Sequence, residues 1–169
     1  MSKQSAGILL YRTTGHGVEV LLVHPGGPFW AKKDAGAWSI PKGEFSEDED
    51  PSAAAAREFH EELGMAVPEG ERIPLGSAKQ ASGKIVHAWA LCGDVAVEQI
   101  KSNTFHMQWP PKTGKEQEFP EVDRAAWFSL AGASKKVVKG QVPLLETLAK
   151  KLGANIEPTT EQSAQASLF

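Results

Sequence analysis

An α+β sandwich is the fold this chain predicts. Three observations predict it: two leucine- and valine-rich runs joined by a glycine turn near the N-terminus, further alternating runs after residue 70, and two helical stretches interleaved with them. SAGILLYR and VEVLLVH flank TTGHG, which predicts a strand pair over residues 5–11 and 18–24. HPGGPFWAKKDAGAW follows, a glycine- and proline-rich loop carrying aromatics and two lysines, and loops of that length in a compact chain commonly serve function. WSI then reads as a short strand running up to Pro41.

Asp50, Pro51 and the run SAAAAREFHEEL predict a helix over 51–63. The aspartate offers an N-cap acceptor, the proline sits where a missing N–H costs nothing, and Gly64 supplies the stop. Strands return over 72–80 and 84–91, where Ile85, His87, Trp89 and Leu91 alternate with Val86, Ala88 and Ala90. Residues 103–109 form another candidate strand, PPKTGKEQEFPE reads as turn, and AAWF around residue 127 is the last strand. VPLLETLAKKL predicts a C-terminal amphipathic helix over 142–152, with Pro143 in its first turn. Residues 153–169 are polar and without a period, so a flexible tail is expected after a single domain over 1–152.

Composition narrows the function classes. The 169 residues are 41% hydrophobic and 23% charged, an ordinary globular balance, and a net charge of −3 argues against a generic nucleic-acid or membrane-surface binder, which would carry a basic excess. No stretch approaches the length of a membrane span. The one cysteine, Cys92, excludes an intrachain disulfide and fits a reducing compartment, so a cytoplasmic location is expected, with Cys92 at least half-buried. The five histidines are scattered, with no close pair at metal-ligand spacing.

GEFSEDEDPSAAAAREFHEELGM, residues 43–65, sets eight acidic side chains against one arginine. At about 100° per residue, Ala55, Ala56, Phe59 and Leu63 share one arc of the helix, and Glu58, Glu61 and Glu62 share another. The glutamates repel one another at three- and four-residue spacing, in the half of the helix whose dipole disfavours anions, each term costing a few tenths to about 1 kcal/mol. Arg57, four residues before Glu61, relieves part of that. A second acidic cluster, Glu44, Glu47, Asp48 and Glu49, precedes the helix in a loop able to fold back beside it. Hard oxygen donors grouped in this way suit Mg²⁺ or Mn²⁺, and a solvated acidic face is the competing reading.

Gly43, five residues, Glu49, seven residues and then REFHEELGM match the Nudix box at Gly43, Glu49, Arg57, Glu58, Phe59, Glu61, Glu62, Gly64 and Met65. The chain therefore resembles the MutT-like Nudix hydrolases, directly over these 23 residues and in its order of elements over about residues 5–152. The resemblance implies a Nudix α/β/α sandwich with a mixed sheet between helices. It also implies a pyrophosphohydrolase that cleaves, with a divalent metal, the diphosphate linkage of a nucleoside diphosphate joined to another group. On the same ground Glu58, Glu61 and Glu62 are expected to hold Mg²⁺ or Mn²⁺, Arg57 and Glu49 to orient them, and Gly43 to let the backbone turn tightly before the helix.

A further acid in this family often comes from a loop before the last strand, where the chain offers Glu121 and Glu118, with Glu116 beside them. Lys42, together with Lys33 and Lys32 of the long loop, is a candidate phosphate contact. Trp30, with Phe29 and Trp109, is a candidate for stacking on a base, and His60 is read as surface. WSIPKGE is similar to the segment leading into the box in Nudix enzymes acting on dinucleoside polyphosphates. The expected substrate is thus a small-molecule nucleoside polyphosphate, first a dinucleoside polyphosphate or a nucleoside triphosphate; nucleic acid and membrane are not expected partners, and family members often pair as homodimers. The alternative is a catalytically silent Nudix-fold sensor binding a nucleotide or metabolite. Such modules usually lose box glutamates, and all are present here.

Overall fold

Strand β1 (Gln4–Thr14) organises the computed structural model, which describes residues 3–154. It pairs antiparallel with β2 (Gly17–Pro25), antiparallel with β3 (Lys42–Glu44) and parallel with β5 (Ile85–Cys92). With β4 (Ile73–Lys79) and β8 (Val122–Ser129) the sheet runs β4-β5-β1-β2-β8, and β3 adds to β1 off this path.

Successive side chains of a strand point to opposite faces, and here both faces are covered. Ile8, Leu10 and Leu21 pack with Ala54, Phe59 and Leu63 of α1 (Pro51–Leu63). Leu9, Val20 and Leu22 pack with Leu144, Leu145 and Leu148 of α3 (Val142–Leu152) and with Ala133 of α2 (Leu130–Lys136). Two apolar layers explain why GILLY and VLLV read as continuous rather than alternating runs. The result is the mixed sheet between helices that the resemblance implied.

Several expectations are corrected. WSI forms no strand: Trp38 and Ser39 make isolated bridges to Val137 and Val23, and regular pairing starts only after Pro41, which has no N–H to donate to a ladder. The segment read as turn contains β7 (Glu116–Pro120), which pairs with β6 (Thr104–Gln108) in a separate two-stranded ribbon. Most of β7 faces solvent, so it carries little apolar pattern. Helix α2 was not foreseen; it has seven residues, includes Gly132, and is capped by the Ser129 hydroxyl, which accepts from the Gly132 N–H at 3.0 Å. On α1, Ala54 replaces the half-buried Ala56 in the apolar arc, and Cys92, at the end of β5, is exposed. The tail reading falls mostly on residues 155–169, outside the described residues. Among the described residues no helix is long and apolar enough to cross a membrane.

Helix α1 begins and ends where its caps demand. The Asp50 carboxylate accepts from the Ala53 N–H at 3.0 Å, and Gly64 donates to the His60 carbonyl at 2.7 Å from a left-handed backbone, φ 70°. A Cβ at Gly64 would also overlap the Lys101 carbonyl. Gly64→Ala is therefore expected to destabilise by about 1–3 kcal/mol, from strain and backbone displacement together. A urea midpoint unchanged from wild type would refute this account of the stop.

Candidate active site

Helix α1 is fixed by Phe59 and Leu63, both fully buried, so the glutamates beside them are aimed by the packing. Glu58 is itself buried, at 8% exposure, and its carboxyl lies against Gly43. Gly43 sits in β3 opposite Ala6 with no left-handed backbone, which corrects the expectation of a tight turn there. It is bare because a Cβ would occupy the space the Glu58 carboxyl fills.

Arg57 gathers the neighbouring carboxylates. Its Nε and Nη2 donate to the two oxygens of Glu49 at 2.8 and 3.0 Å, and its Nη1 donates to Glu58 at 2.8 Å and to Glu61 at 3.2 Å. The guanidinium holds the Glu49 carboxyl below the usual carboxylate range. Glu49 is the member of the preceding acidic cluster that folds back to Arg57, whereas Glu44 pairs with Lys3 and Lys84 at 3.6 and 3.8 Å.

Glu62 is placed differently. Among the described residues no ion pair reaches it; half-buried, it lines a cleft of about 420 Å³ with Trp30, Lys42, Glu121 and Gln141. Burial, then the charge of Glu58, pushes its carboxyl up to about 8 against the opposing pull of Lys42. Burial and Glu61 likewise raise Glu58 and Glu121. Burial and Lys84 lower the Lys42 ammonium, although Glu62 and Glu44 oppose this. The site thus groups five carboxyls, Glu49, Glu58, Glu61, Glu62 and Glu121, with two basic side chains, Arg57 and Lys42, and its burial favours the neutral forms of Glu58, Glu62 and Glu121 until a further cation is supplied.

Of the loop acids, the structure brings Glu121 to the box glutamates. Its backbone is held on both sides, the N–H donating to Asn103 at 2.8 Å and the carbonyl accepting from Gly26 at 2.9 Å. Glu118 is turned to His106 on the ribbon at 3.4 Å, and Glu116 stands opposite Gln108 in the same ribbon. Lys33 does not line the cleft; its ammonium lies 5.3 Å from the Trp30 ring centroid.

Two residues that sequence reasoning passed over hold this site together. Gln141 is fully buried; its Oε1 accepts from the Ile40 N–H at 3.0 Å, and its Nε2 donates to Ser39 and Gln80 at 2.9 and 3.0 Å. It ties three distant segments around the cleft, and a lone glutamine in KGQV gives no sign of that. His24, also fully buried, contacts Asp123 through Nδ1 at 2.9 Å and the Lys33 carbonyl through Nε2 at 2.6 Å, anchoring the long loop. Its position at the end of an apolar strand was the available signal.

The acidic donors are hard carboxylate oxygens throughout, which fits Mg²⁺ or Mn²⁺ in chemistry. Among the described residues, no three acidic, histidine or cysteine side chains converge to ligating geometry, and Glu58 and Glu61 are both drawn onto Arg57.

The family model for the NUDIX domain matches residues 1–148. An 8-oxo-(d)GTP phosphatase of Mycolicibacterium smegmatis is 37% identical over 79 residues, which is 41% of this chain and 22% of that protein. Among solved structures, a Caenorhabditis elegans Ap4A hydrolase in a binary complex superposes with a TM-score of 0.62 at 22% identity, covering 88% of this chain and 98% of that one. The NUDIX domain of Shewanella oneidensis NrtR complexed with ADP ribose gives 0.61 at 17% identity, over 90% and 89%. At those identities the two structures speak for the fold, while the family match spans nearly all of the described chain. The chain belongs to the Nudix family.

Proposed function

We propose that this protein is a metal-dependent pyrophosphohydrolase cleaving the diphosphate linkage of a nucleoside diphosphate joined to another group, with dinucleoside polyphosphates and nucleoside triphosphates as the first substrates to test. The observation that carries this reading is Glu62: a half-buried carboxyl, raised to about 8, facing a cleft with Lys42 and Glu121 and left outside the Arg57 network. A divalent cation held by Glu58, Glu61 and Glu62, with Glu121 beside them, would neutralise the diphosphate and lower the pKa of water. Lys42 meets a phosphate as a point charge. Arg57 and Glu49 keep Glu58 and Glu61 oriented, and Gly43 leaves room for Glu58. The relatives named for Ap4A and for 8-oxo-(d)GTP support a nucleoside polyphosphate as the ligand class.

Product release from diadenosine polyphosphates, nucleoside triphosphates, 8-oxo-dGTP, ADP-ribose and nucleotide sugars, with Mg²⁺ or Mn²⁺ and a Glu62→Gln control, tests the proposal. Cleavage of one class, lost in the control, is expected. No turnover across the panel, with one of these ligands bound tightly, would replace the hydrolase with the sensor.

A further inference from the structure

We propose that Ser102 is a positioning residue for the acid site: its hydroxyl holds residues 101–103 as a bridge that fixes Glu121 against the glutamates of α1. This rests on the reading that those carboxyls together hold a divalent cation.

Glu61 and Glu121 are far apart in the chain, and among the described residues no ion pair joins the Glu121 carboxyl to α1. What connects them is backbone. The last turn of a helix leaves its carbonyls without intrahelical donors, and residues 101–103 supply two. The Lys101 N–H donates to the Leu63 carbonyl at 2.9 Å, and the Asn103 N–H donates to the Glu61 carbonyl at 2.8 Å. On its other side the same run accepts, the Asn103 carbonyl taking the Glu121 N–H at 2.8 Å. Asn103 thus stands between the two acids, bonded to the backbone of each. Where the bridge crosses the helix end the approach is close enough that a Cβ at Gly64 would lie 2.3 Å from the Lys101 carbonyl oxygen.

The side chain that locks this bridge to the Glu121 segment is Ser102. Its hydroxyl accepts the Val122 N–H at 3.1 Å, and its one proton is within reach of two carbonyls, Asn103 at 2.9 Å and Val122 at 3.1 Å. Val122 is buried, so the hydroxyl meets a donor that is shielded from water and costly to leave unpaired. The strand also needs an anchor at this point. β8 pairs Val122 with Pro25, which has no N–H to give, and Arg124 with His24, so Asp123 between them has no ladder partner. Such a bulge changes the direction in which neighbouring side chains project. Ser102 holds the strand start on the far side of that bulge and keeps Glu121 on the cleft it lines with Glu62. Groups that orient metal ligands from behind typically account for about 10- to 100-fold in metal affinity.

Hydrogen exchange on the metal-free full chain reads the bridge, and Mn²⁺ titration followed by electron paramagnetic resonance reads its consequence. In Ser102→Ala the Asn103 and Glu121 amides are expected to exchange about tenfold faster, with amides inside α1 as in wild type. The same variant should bind Mn²⁺ about tenfold more weakly. Ser102→Thr keeps the hydroxyl and should match wild type within about twofold in both measurements. Glu121→Gln weakens Mn²⁺ binding by itself, and adding Ser102→Ala to it should change the affinity by no more than about twofold, because an effect that passes through Glu121 has nothing left to act on. Unchanged exchange at Asn103 and Glu121 in Ser102→Ala overturns the proposal, as does a further loss of about tenfold in the Glu121→Gln background. An equal rise in exchange inside α1 marks general destabilisation and overturns it as well. A wild type that binds no Mn²⁺ removes the metal-dependent reading and this inference with it, whereas wild-type binding that Ser102→Ala leaves intact removes this inference alone.

Discussion

Glu62→Gln is expected to lower turnover of the preferred substrate by on the order of 10²–10³-fold, the several kcal/mol of transition-state stabilisation that a bound divalent ion supplies. The same variant should be more stable than wild type at alkaline pH without metal, which separates a site residue from a structural one. In the folded chain the Glu62 carboxyl titrates near 8, against an ordinary 4.5. Folding therefore favours its protonated form. That contribution is complete below about pH 4.5 and is lost as pH rises through 8, so metal-free wild type should lose melting temperature across this window. Glutamine carries no such slope, and the variant should lead by about 1–2 kcal/mol at pH 8–9, allowing for solvent screening of a half-buried group. Mg²⁺ should raise the wild-type melting temperature there and leave Glu62→Gln largely unmoved. Thermal scans from pH 5 to 9, with and without Mg²⁺, check this; equal Mg²⁺ shifts for both proteins would remove Glu62 from the metal site.

Gly43→Ala, unlike Glu62→Gln, should lower stability and activity together, the activity by much the more. The added methyl overlaps the Glu58 carboxyl, the far end of a flexible side chain, so the chain can adjust at modest cost, about 1–2 kcal/mol. Adjusting means swinging Glu58 away from β3 and off the 2.8 Å bond to Arg57, and turnover should fall by about 10². Shortening the acid provides the internal control. Glu58→Asp draws the carboxyl back by one methylene, so the double variant should be more stable than the sum of the singles, with a coupling of about 0.5–3 kcal/mol. An active Gly43→Ala enzyme, measured by initial rates on the best substrate, would show that the position of Glu58 is immaterial.

Helix α1 was legible to the residue because every signal for it is local: an aspartate cap, a proline at the first position, a glycine stop and an apolar arc lie within fifteen consecutive residues. The core strands were legible because apolar runs bounded by glycines have few other uses. Elements stabilised mainly by what they touch escaped. Helix α2 is too short to show a period, and β7 is a charged ribbon edge whose pairing depends on β6.

The candidate site divides along the same line. The sequence by itself determined which carboxylates share one face of α1 and that Arg57 stands beside Glu61, since helical spacing places residues three and four positions apart within reach of one another. Tertiary structure decided the rest. It placed Glu121 rather than Glu118 near the box glutamates, assigned Gly43 to a close approach instead of a turn, used Gln141 and His24 to hold segments about a hundred residues apart, and set Trp30 at the junction of the cleft and an aromatic groove. Those relations depend on loop closure and sheet order, contacts between residues far apart in the chain that no local pattern encodes.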